Sequence, residues 1–328
     1  LEYNVTERLG MDPTKIKNLK LTGSINEVDY TFMRDKMTAL QRLNLKEVES
    51  IIDGVYAIPS YAFNGKKTLS KCFLPEILER IEGGAFSNTA LTGSLILPEG
   101  LKYVSGFGDT KITNVHFPST LEEIGESAFS GCKSLMTEIS LPQSLKTIGE
   151  RAFSGAAISG NLVLPDELES IGGGAFTSCS SLKGSLTIPN RVKVIKGWAF
   201  YRSGFTGILT LPAGLVEIQE NAFYGTNFKG ELNIPSTVTT IGGSAFDGTM
   251  FNGTLVLPSE LISLGSYVFS GCWRLSGVVE IPSNIVAIPE YLFASCIGLE
   301  GVVLNKDVEA IGAGAFANCV GLYSIVCD

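Results

Sequence analysis

One phrase of apolar and polar positions returns along the whole of this chain. It reads apolar-x-apolar-Pro, two or three spacers, an apolar residue, x-x-Ile-Gly, then Ala-Phe. Clear copies are LPQSLKTIGERAF (141–153), LPDELESIGGGAF (164–176), IPSTVTTIGGSAF (234–246) and LNKDVEAIGAGAF (304–316). The proline slot runs Pro75, Pro98, Pro118, Pro142, Pro165, Pro189, Pro212, Pro235, Pro258 and Pro282, with Asn305 taking it last, in steps of 20 to 24 residues. Phe keeps step at Phe63, Phe86, Phe129, Phe153, Phe176, Phe200, Phe223, Phe246, Phe269, Phe293 and Phe316. An apolar-x-apolar pair has period two, which predicts a short strand with two inward side chains. Proline cannot donate to a ladder and ends that strand at a fixed place. The x-x-Ile-Gly stretch should cross back as a second, shorter strand on the opposite side, and Ala-Phe should turn with Phe between successive coils.

A Leu-rich period in the range of about 20–29 residues is the signature of leucine-rich repeats. The fold class expected is therefore an α/β-type repeat solenoid, mostly β, with repeats of about 23 residues, a parallel concave sheet and short convex strands. Two departures carry information. A glycine row (Gly93, Gly160, Gly184, Gly207, Gly230, Gly253, Gly277) precedes the strands and implies a positive φ or a bulge there. The unit at 98–117 is short: it lacks Ala-Phe, and Phe107 arrives two residues early, which predicts a local distortion. Residues 1–45 do not follow the phrase. LKLTG (19–23) reads as a strand, and 26–37 as a helix with Asn26 at its N-cap and Val28, Phe32 and Met33 on its apolar face. The expected organisation is an N-terminal cap at 1–45 (strand–helix–strand) and an array of about twelve units at 46–328. The chain reaches SIVCD just after its last strand, leaving an edge open to pairing.

The phrase xIPxxVxxIGxxAFxxCxxL resembles the BspA-like subclass of leucine-rich repeats, found in surface proteins of anaerobic, oral and gut bacteria. The match covers about residues 46–328, and LKLTGSINEVDYTFMRDKMTALQRLNL resembles the N-terminal cap common in such proteins. The matching residues are core residues, so the resemblance is specific for fold and weak for function. It implies attachment at a surface and binding of host proteins; no ligand transfers with it.

Charge and chemistry narrow the function further. The 33 acidic against 25 basic residues give a formal charge of −8, which argues against nucleic acid or an anionic membrane as main partner. No run of 18 apolar residues exists to span a bilayer. The opening at Leu1 without a leader pattern reads as a mature or trimmed form, with an extracellular or cell-surface address. The single histidine, His116, lies at an outward strand position, so neither a nucleophile–His device nor a His-based zinc site is expected. Five of the seven cysteines (Cys132, Cys179, Cys272, Cys296, Cys319) fall three residues after the repeat Phe, where other units carry Thr, Ser or Ala. That pattern reads as a small buried turn position. Carboxylates such as Glu122, Glu123, Glu126, Glu150, Glu169 and Glu217 read as a solvated convex face. No catalytic residue, metal or cofactor is expected.

The surface then carries the function. The outward positions of the expected concave strands are Phe73, Ile96, His116, Ser140, Val163, Thr187, Thr210, Asn233, Val256 and Glu280, a nearly uncharged row rich in β-branched residues. Such residues also simply suit a pleated sheet. A second row, two residues earlier, includes Asn114, Glu138, Asn161, Ser185, Ile208, Glu231 and Thr254. Aromatics on the turn side (Tyr61, Trp198, Tyr201, Tyr224, Tyr267, Tyr291) form a second candidate surface. The expected function is non-enzymatic recognition of an extracellular or host protein through the concave face, in the manner of an adhesin. The alternatives are a carbohydrate-binding or polysaccharide-processing coil and a structural spacer within a larger surface protein.

Overall fold

The computed structural model describes residue 1, residues 3–8 and residues 10–327, with residues 3 and 8 as backbone alone. The chain is a β-solenoid of about 13 turns with very few helices. It divides into two compact units, Leu1–Ile158 and Ser159–Asp328.

The first unit begins with a strand, Asn18–Ile25, a helix, Glu27–Asp35, and a long strand, Arg42–Ile52. The two strands pair in parallel from Asn18↔Arg42 to Ile25↔Ser50. Asn26 starts the helix as its sequence implies: its side chain accepts from the N–H groups of Val28 and Asp29, while the Asp29 carboxylate accepts from the N–H of Asn26. The expected apolar face needs correction at one position. Tyr30, Phe32 and Met33 are buried, but Val28 is 72% exposed. The Tyr30 ring sets the rotation of the helix, because it meets Phe63 edge-on at 5.6 Å and its hydroxyl donates to Ser50 Oγ at 3.0 Å. Val28 shares a helical face with buried Phe32 but stands one turn nearer the N-cap, and there it faces water. Buried Lys66 closes the other end, its Nζ donating to the carbonyls of Arg34 (2.9 Å) and Met37 (2.8 Å). Those carbonyls lie at the negative end of the helix, where a cation is favoured. Burial pulls the Lys66 pKa below its ordinary value.

Each later coil repeats one construction, and the repeat Phe is at its centre. In the first unit Phe63, Phe86, Phe107, Phe129 and Phe153 stack with centroids 5.1 to 5.8 Å apart. In the second, Phe176, Phe200, Phe223, Phe246, Phe269, Phe293 and Phe316 stack at 5.5 to 6.1 Å. A shorter stack, Phe205–Phe228–Phe251, lies edge-on to the main one. The Ala-Phe turns also carry a backbone ladder. Tyr61, Phe63 and Gly65 donate their N–H groups to the carbonyls of Gly83, Ala85 and Ser87 in the next coil, and Trp198, Phe200 and Arg202 donate likewise to Glu220, Ala222 and Tyr224. This geometry needs left-handed backbone on both sides of Phe: Tyr61, Ser127, Trp198, Ser244 and Tyr267 two residues before it, and Gly65, Asn88, Gly131, Ser178 and Asn318 two after.

The crossing strands form where the x-x-Ile-Gly phrase places them. Val55–Ile58, Arg80–Ile81, Tyr103–Val104, Glu123–Ile124 and Thr147–Ile148 pair in register in the first unit. In the second, Val194–Ile195, Glu217–Ile218, Thr240–Ile241 and Ser263–Leu264 do the same.

Two expectations change. The short unit is not broken at its core, because Phe107 takes the Phe slot and stacks at 5.1 and 5.8 Å on its neighbours. Gly106 makes this fit: it sits at φ +86°, and a Cβ there would lie 2.4 Å from the backbone N of Ala85. The strand row before Pro, expected as one continuous sheet, is instead a series of short pieces. Arg42–Ile52 pairs Lys71–Phe73, and Thr92–Ile96 pairs Lys111–His116. In the second unit Leu186–Thr187 pairs Leu209–Thr210, and Gly253–Thr254, Leu275–Glu280, Leu299–Leu304 and Ser324–Cys327 follow one another. Six of the seven row glycines have positive φ, between +72° and +85°, which interrupts the pleat. Gly207 does not; its Cβ would fall within 2.6 Å of the backbone of Gly184 and Ser185.

Candidate binding surface

All ten outward row positions are exposed. Each is flanked by inward residues of its own coil: Ile96 is 70% exposed between Leu95 (8%) and Leu97 (4%), and Val256 is 72% exposed between Leu255 (2%) and Leu257 (7%). In the first unit Phe73 is in register with Asn44, and Ile96 with His116. His116 Nε2 lies 3.0 Å from Asn114 Nδ2, and Asn114 Oδ1 accepts from Thr137 Oγ1 at 3.3 Å. The histidine is thus tied into a polar surface chain. Ser140 lies outside any strand. In the second unit Thr187 is in register with Thr210, and Glu280 with Val303, while Val163, Asn233 and Val256 lie outside any strand. The row therefore presents apolar and hydroxyl groups with Glu280 as its one carboxylate.

The turn-side aromatics are drawn together in part. Trp198 contacts Tyr201 (4.5 Å), Tyr201 stacks on Tyr224 (4.9 Å, 15°), and the Arg202 guanidinium lies over both tyrosines at 5.2 and 5.6 Å. Tyr267 stacks on Tyr291 at 4.8 Å. Tyr61, in the first unit, lies over Gly84, where a Cβ would meet its ring at 2.6 Å. The partner of an aromatic here is either another ring or a glycine in the next coil.

The model of the BspA type leucine rich repeat region matches residues 12–106, 103–229 and 216–328, in six copies. The chain belongs to this family. A leucine-rich repeat protein from Bacteroides ovatus is similar at 23% identity and TM-score 0.58, over 81% of this chain and 68% of that one. The pneumococcal vaccine antigen PcpA is similar at 19% identity and TM-score 0.50, over 86% and 68%. A leucine rich cell surface protein from Faecalibacterium prausnitzii aligns at 20% identity and TM-score 0.46, over 95% and 88%. Among the curated proteins none matches the chain. BspA-type repeats serve as binding or scaffold modules, and proteins built of them are typically not enzymes.

The cysteine slot of this BspA-type array is a hydrogen-bonding position. The hydroxyls of Thr89, Thr110, Ser203, Thr226 and Thr249 donate to the carbonyl of the repeat Phe in their own coil at 2.6 to 2.8 Å. The thiols of Cys132, Cys272, Cys296 and Cys319 donate instead to the Phe carbonyl of the preceding coil, at 2.9 to 3.2 Å. Burial pushes the Cys272 thiol up to about 12, which makes it a poor nucleophile. Among the described residues no cluster of His, Cys, Asp and Glu could hold a metal ion. The crossing-segment carboxylates join neighbouring coils, with Glu79–Lys102 at 3.0 Å, Glu122–Lys146 at 2.8 Å and Glu167–Arg191 at 2.7 Å. All three pairs are exposed, and each contributes little to stability. No helix among the described residues is long and apolar enough to cross a membrane.

One acid stands apart. Half-burial of Asp247 pushes its pKa up to about 6, partly opposed by a hydrogen bond from Ser270. A carboxyl raised above its unfolded value binds its proton more tightly in the native state. Its stabilising contribution is complete below the unfolded value and is lost as pH rises through about 6. Urea unfolding between pH 4 and pH 7 should therefore show a steeper loss of stability with rising pH in the native chain than in Asp247→Asn. Parallel profiles would show that the carboxyl ionises freely.

Proposed function

We propose that the chain is a non-enzymatic binding protein of the bacterial exterior that recognises a protein partner through its exposed strand row. The supporting observation is the row itself. Positions that a coil could fill with charge instead carry exposed Phe73, Ile96, Val163 and Val256 beside hydroxyl and amide groups. A weakly charged face of this kind suits the desolvated centre of a protein interface, and the surfaces of solenoids are commonly used in this way. Membership of a family of bacterial surface proteins supports the address.

The test is a panel of extracellular-matrix proteins and glycans probed with the native chain and with Val163→Lys/Thr210→Lys/Val256→Lys. All three side chains are exposed in the second unit, so the substitutions leave the core intact. The expected result is a salt-tolerant protein hit weakened at least 100-fold by the triple variant, with an unchanged circular dichroism spectrum. Unaltered binding by the variant removes this face from the proposal, and a hit confined to glycans overturns the protein-partner reading.

A further inference from the structure

Two bases stand opposite each other at the start of the strand row. Arg42 and Lys71 lie on the neighbouring parallel strands Arg42–Ile52 and Lys71–Phe73 and are in register. Arg42 comes two residues before Asn44, and Lys71 two residues before the row residue Phe73. Between them on each strand, Leu43 is buried and Cys72 half-buried, so both charged side chains are on the outer face, where both are exposed. Paired strands lie about 4.8 Å apart, and like charges directly opposite one another destabilise a sheet.

The chain itself does not relieve this repulsion. Among the described residues neither Arg42 nor Lys71 forms an ion pair, and nor does Lys46, further along the strand of Arg42. Glu47 is taken by Lys20 at 2.6 Å. Glu76, whose N–H donates to the Lys46 carbonyl, pairs with no base. The crossing side of the coils behaves in the opposite way: Lys102, Lys146 and Arg191 each meet a carboxylate of the preceding coil. In a chain of formal charge −8, two facing bases without a carboxylate are an exception.

Lys71 also ties this charge to the apolar row. Its Nζ lies 4.8 Å from the centroid of the Phe73 ring, which is 38% exposed. Asn44 and Phe73 are in register in their turn. The charged column, Arg42 and Lys71, therefore runs beside an uncharged one, Asn44 and Phe73, about 6–7 Å further along the strands.

We propose that the protein partner docks an acidic segment here, with a carboxylate between Arg42 and Lys71 and an apolar side chain on Phe73. A guanidinium offers a carboxylate two parallel hydrogen bonds, and the ammonium adds a third donor and a second charge. A carboxylate seated there replaces a repulsion by two attractions. In an extended segment lying along the strands, residues i and i+2 are about 6–7 Å apart, which matches the spacing of the two columns. A sulfated glycan answers the charge but brings no apolar side chain to Phe73. This inference rests on the protein-partner reading and gives the chemistry of one contact within it.

The experiment is fluorescence anisotropy of the whole chain with a labelled peptide of repeating Glu-Ser-Val-Ser, beside its Gln-Ser-Val-Ser counterpart and labelled heparin. The Glu peptide should saturate and bind at least tenfold more tightly than the Gln peptide. Arg42→Gln/Lys71→Gln should weaken the Glu peptide at least tenfold and leave the Gln peptide unchanged. Because the free pair is repulsive, the urea midpoint of that variant should be no lower than that of the native chain. A lowered midpoint, equal binding of the two peptides, absence of saturation, or full affinity in the variant each overturns the proposal. Heparin binding more tightly than the Glu peptide, and lost in the variant, overturns the peptide occupant in favour of a sulfated glycan. A matrix-protein hit weakened by Val163→Lys/Thr210→Lys/Val256→Lys but not by Arg42→Gln/Lys71→Gln sinks this inference alone, whereas a hit confined to glycans sinks the reading beneath it.

Discussion

Phe223→Ala should cost the second unit about 3–5 kcal/mol, the usual range for truncating a buried Phe. The ring is fully buried, stacks at 5.5 Å on both Phe200 and Phe246, and meets Phe228 edge-on at 6.0 Å. Its loss removes apolar contact on three sides at once. The backbone ladder through the same turn keeps the coil from closing the hole, because the Phe223 N–H is held by the Ala245 carbonyl at 2.9 Å. In an array where each coil leans on its neighbours, the damage should spread first to adjacent turns. The expected result is a lower urea midpoint, together with faster amide exchange at 200–246 than at 57–104. An unchanged midpoint would mean that the stacked rings are bystanders and that the backbone ladders alone hold the coils.

Gly106→Ala should be nearly as damaging, although it adds a single methyl group. The position has φ +86°, and the new Cβ would meet the backbone of Ala85, Glu82 and Gly84 at 2.4 to 2.9 Å. None of those atoms belongs to a flexible side chain. Strained backbone conformation and overpacking each cost roughly 1–3 kcal/mol, so a combined loss of about 2–6 kcal/mol is expected. Thermal unfolding of Gly106→Ala beside Gly155→Ala is the measurement. Gly155 also has positive φ (+66°) but has open space around its Cβ, so that variant isolates the conformational cost. Equal Tm shifts would show that the close approach at Gly106 contributes nothing.

Much of the fold was legible in the sequence because its period is written by residues that meet their own kind. Phe stacks on Phe and Ile pairs with Ile, so a regular spacing translates directly into a contact. Phe107 was misread because counting registers chain length while packing registers space; Gly106 allows the shorter coil to deliver its ring to the same stack. Val28 was misread because helical spacing puts it on the face of buried Phe32 but does not say how much of that face is covered, and the first turn is left open. The left-handed residues beside Phe went unnoticed since Tyr, Trp, Arg and Ser occupy one of those slots as well as Gly. A glycine count could have found the other, as Gly65, Gly131, Gly155, Gly225, Gly248 and Gly271 all fall two places after Phe. At the candidate surface, exposure of the ten row positions could be read from alternation alone. The interruption of the strand row could not, because pairing depends on how the arcs of two coils match.

Eight coils place a residue other than glycine in the left-handed slot before Phe, among them Tyr61, Arg151, Trp198, Asn221 and Tyr291. Each such residue sacrifices roughly 1–2 kcal/mol relative to a relaxed backbone, and along a linear array these sacrifices add up. The slot supports its side chain on a pedestal that the Phe stack holds at nearly constant intervals of 5 to 6 Å within each unit. Whatever stands there can be exchanged without disturbing the interior. The solenoid thus trades endurance for a rewritable edge, on which selection can change the displayed chemistry one coil at a time while the scaffold stays as it is.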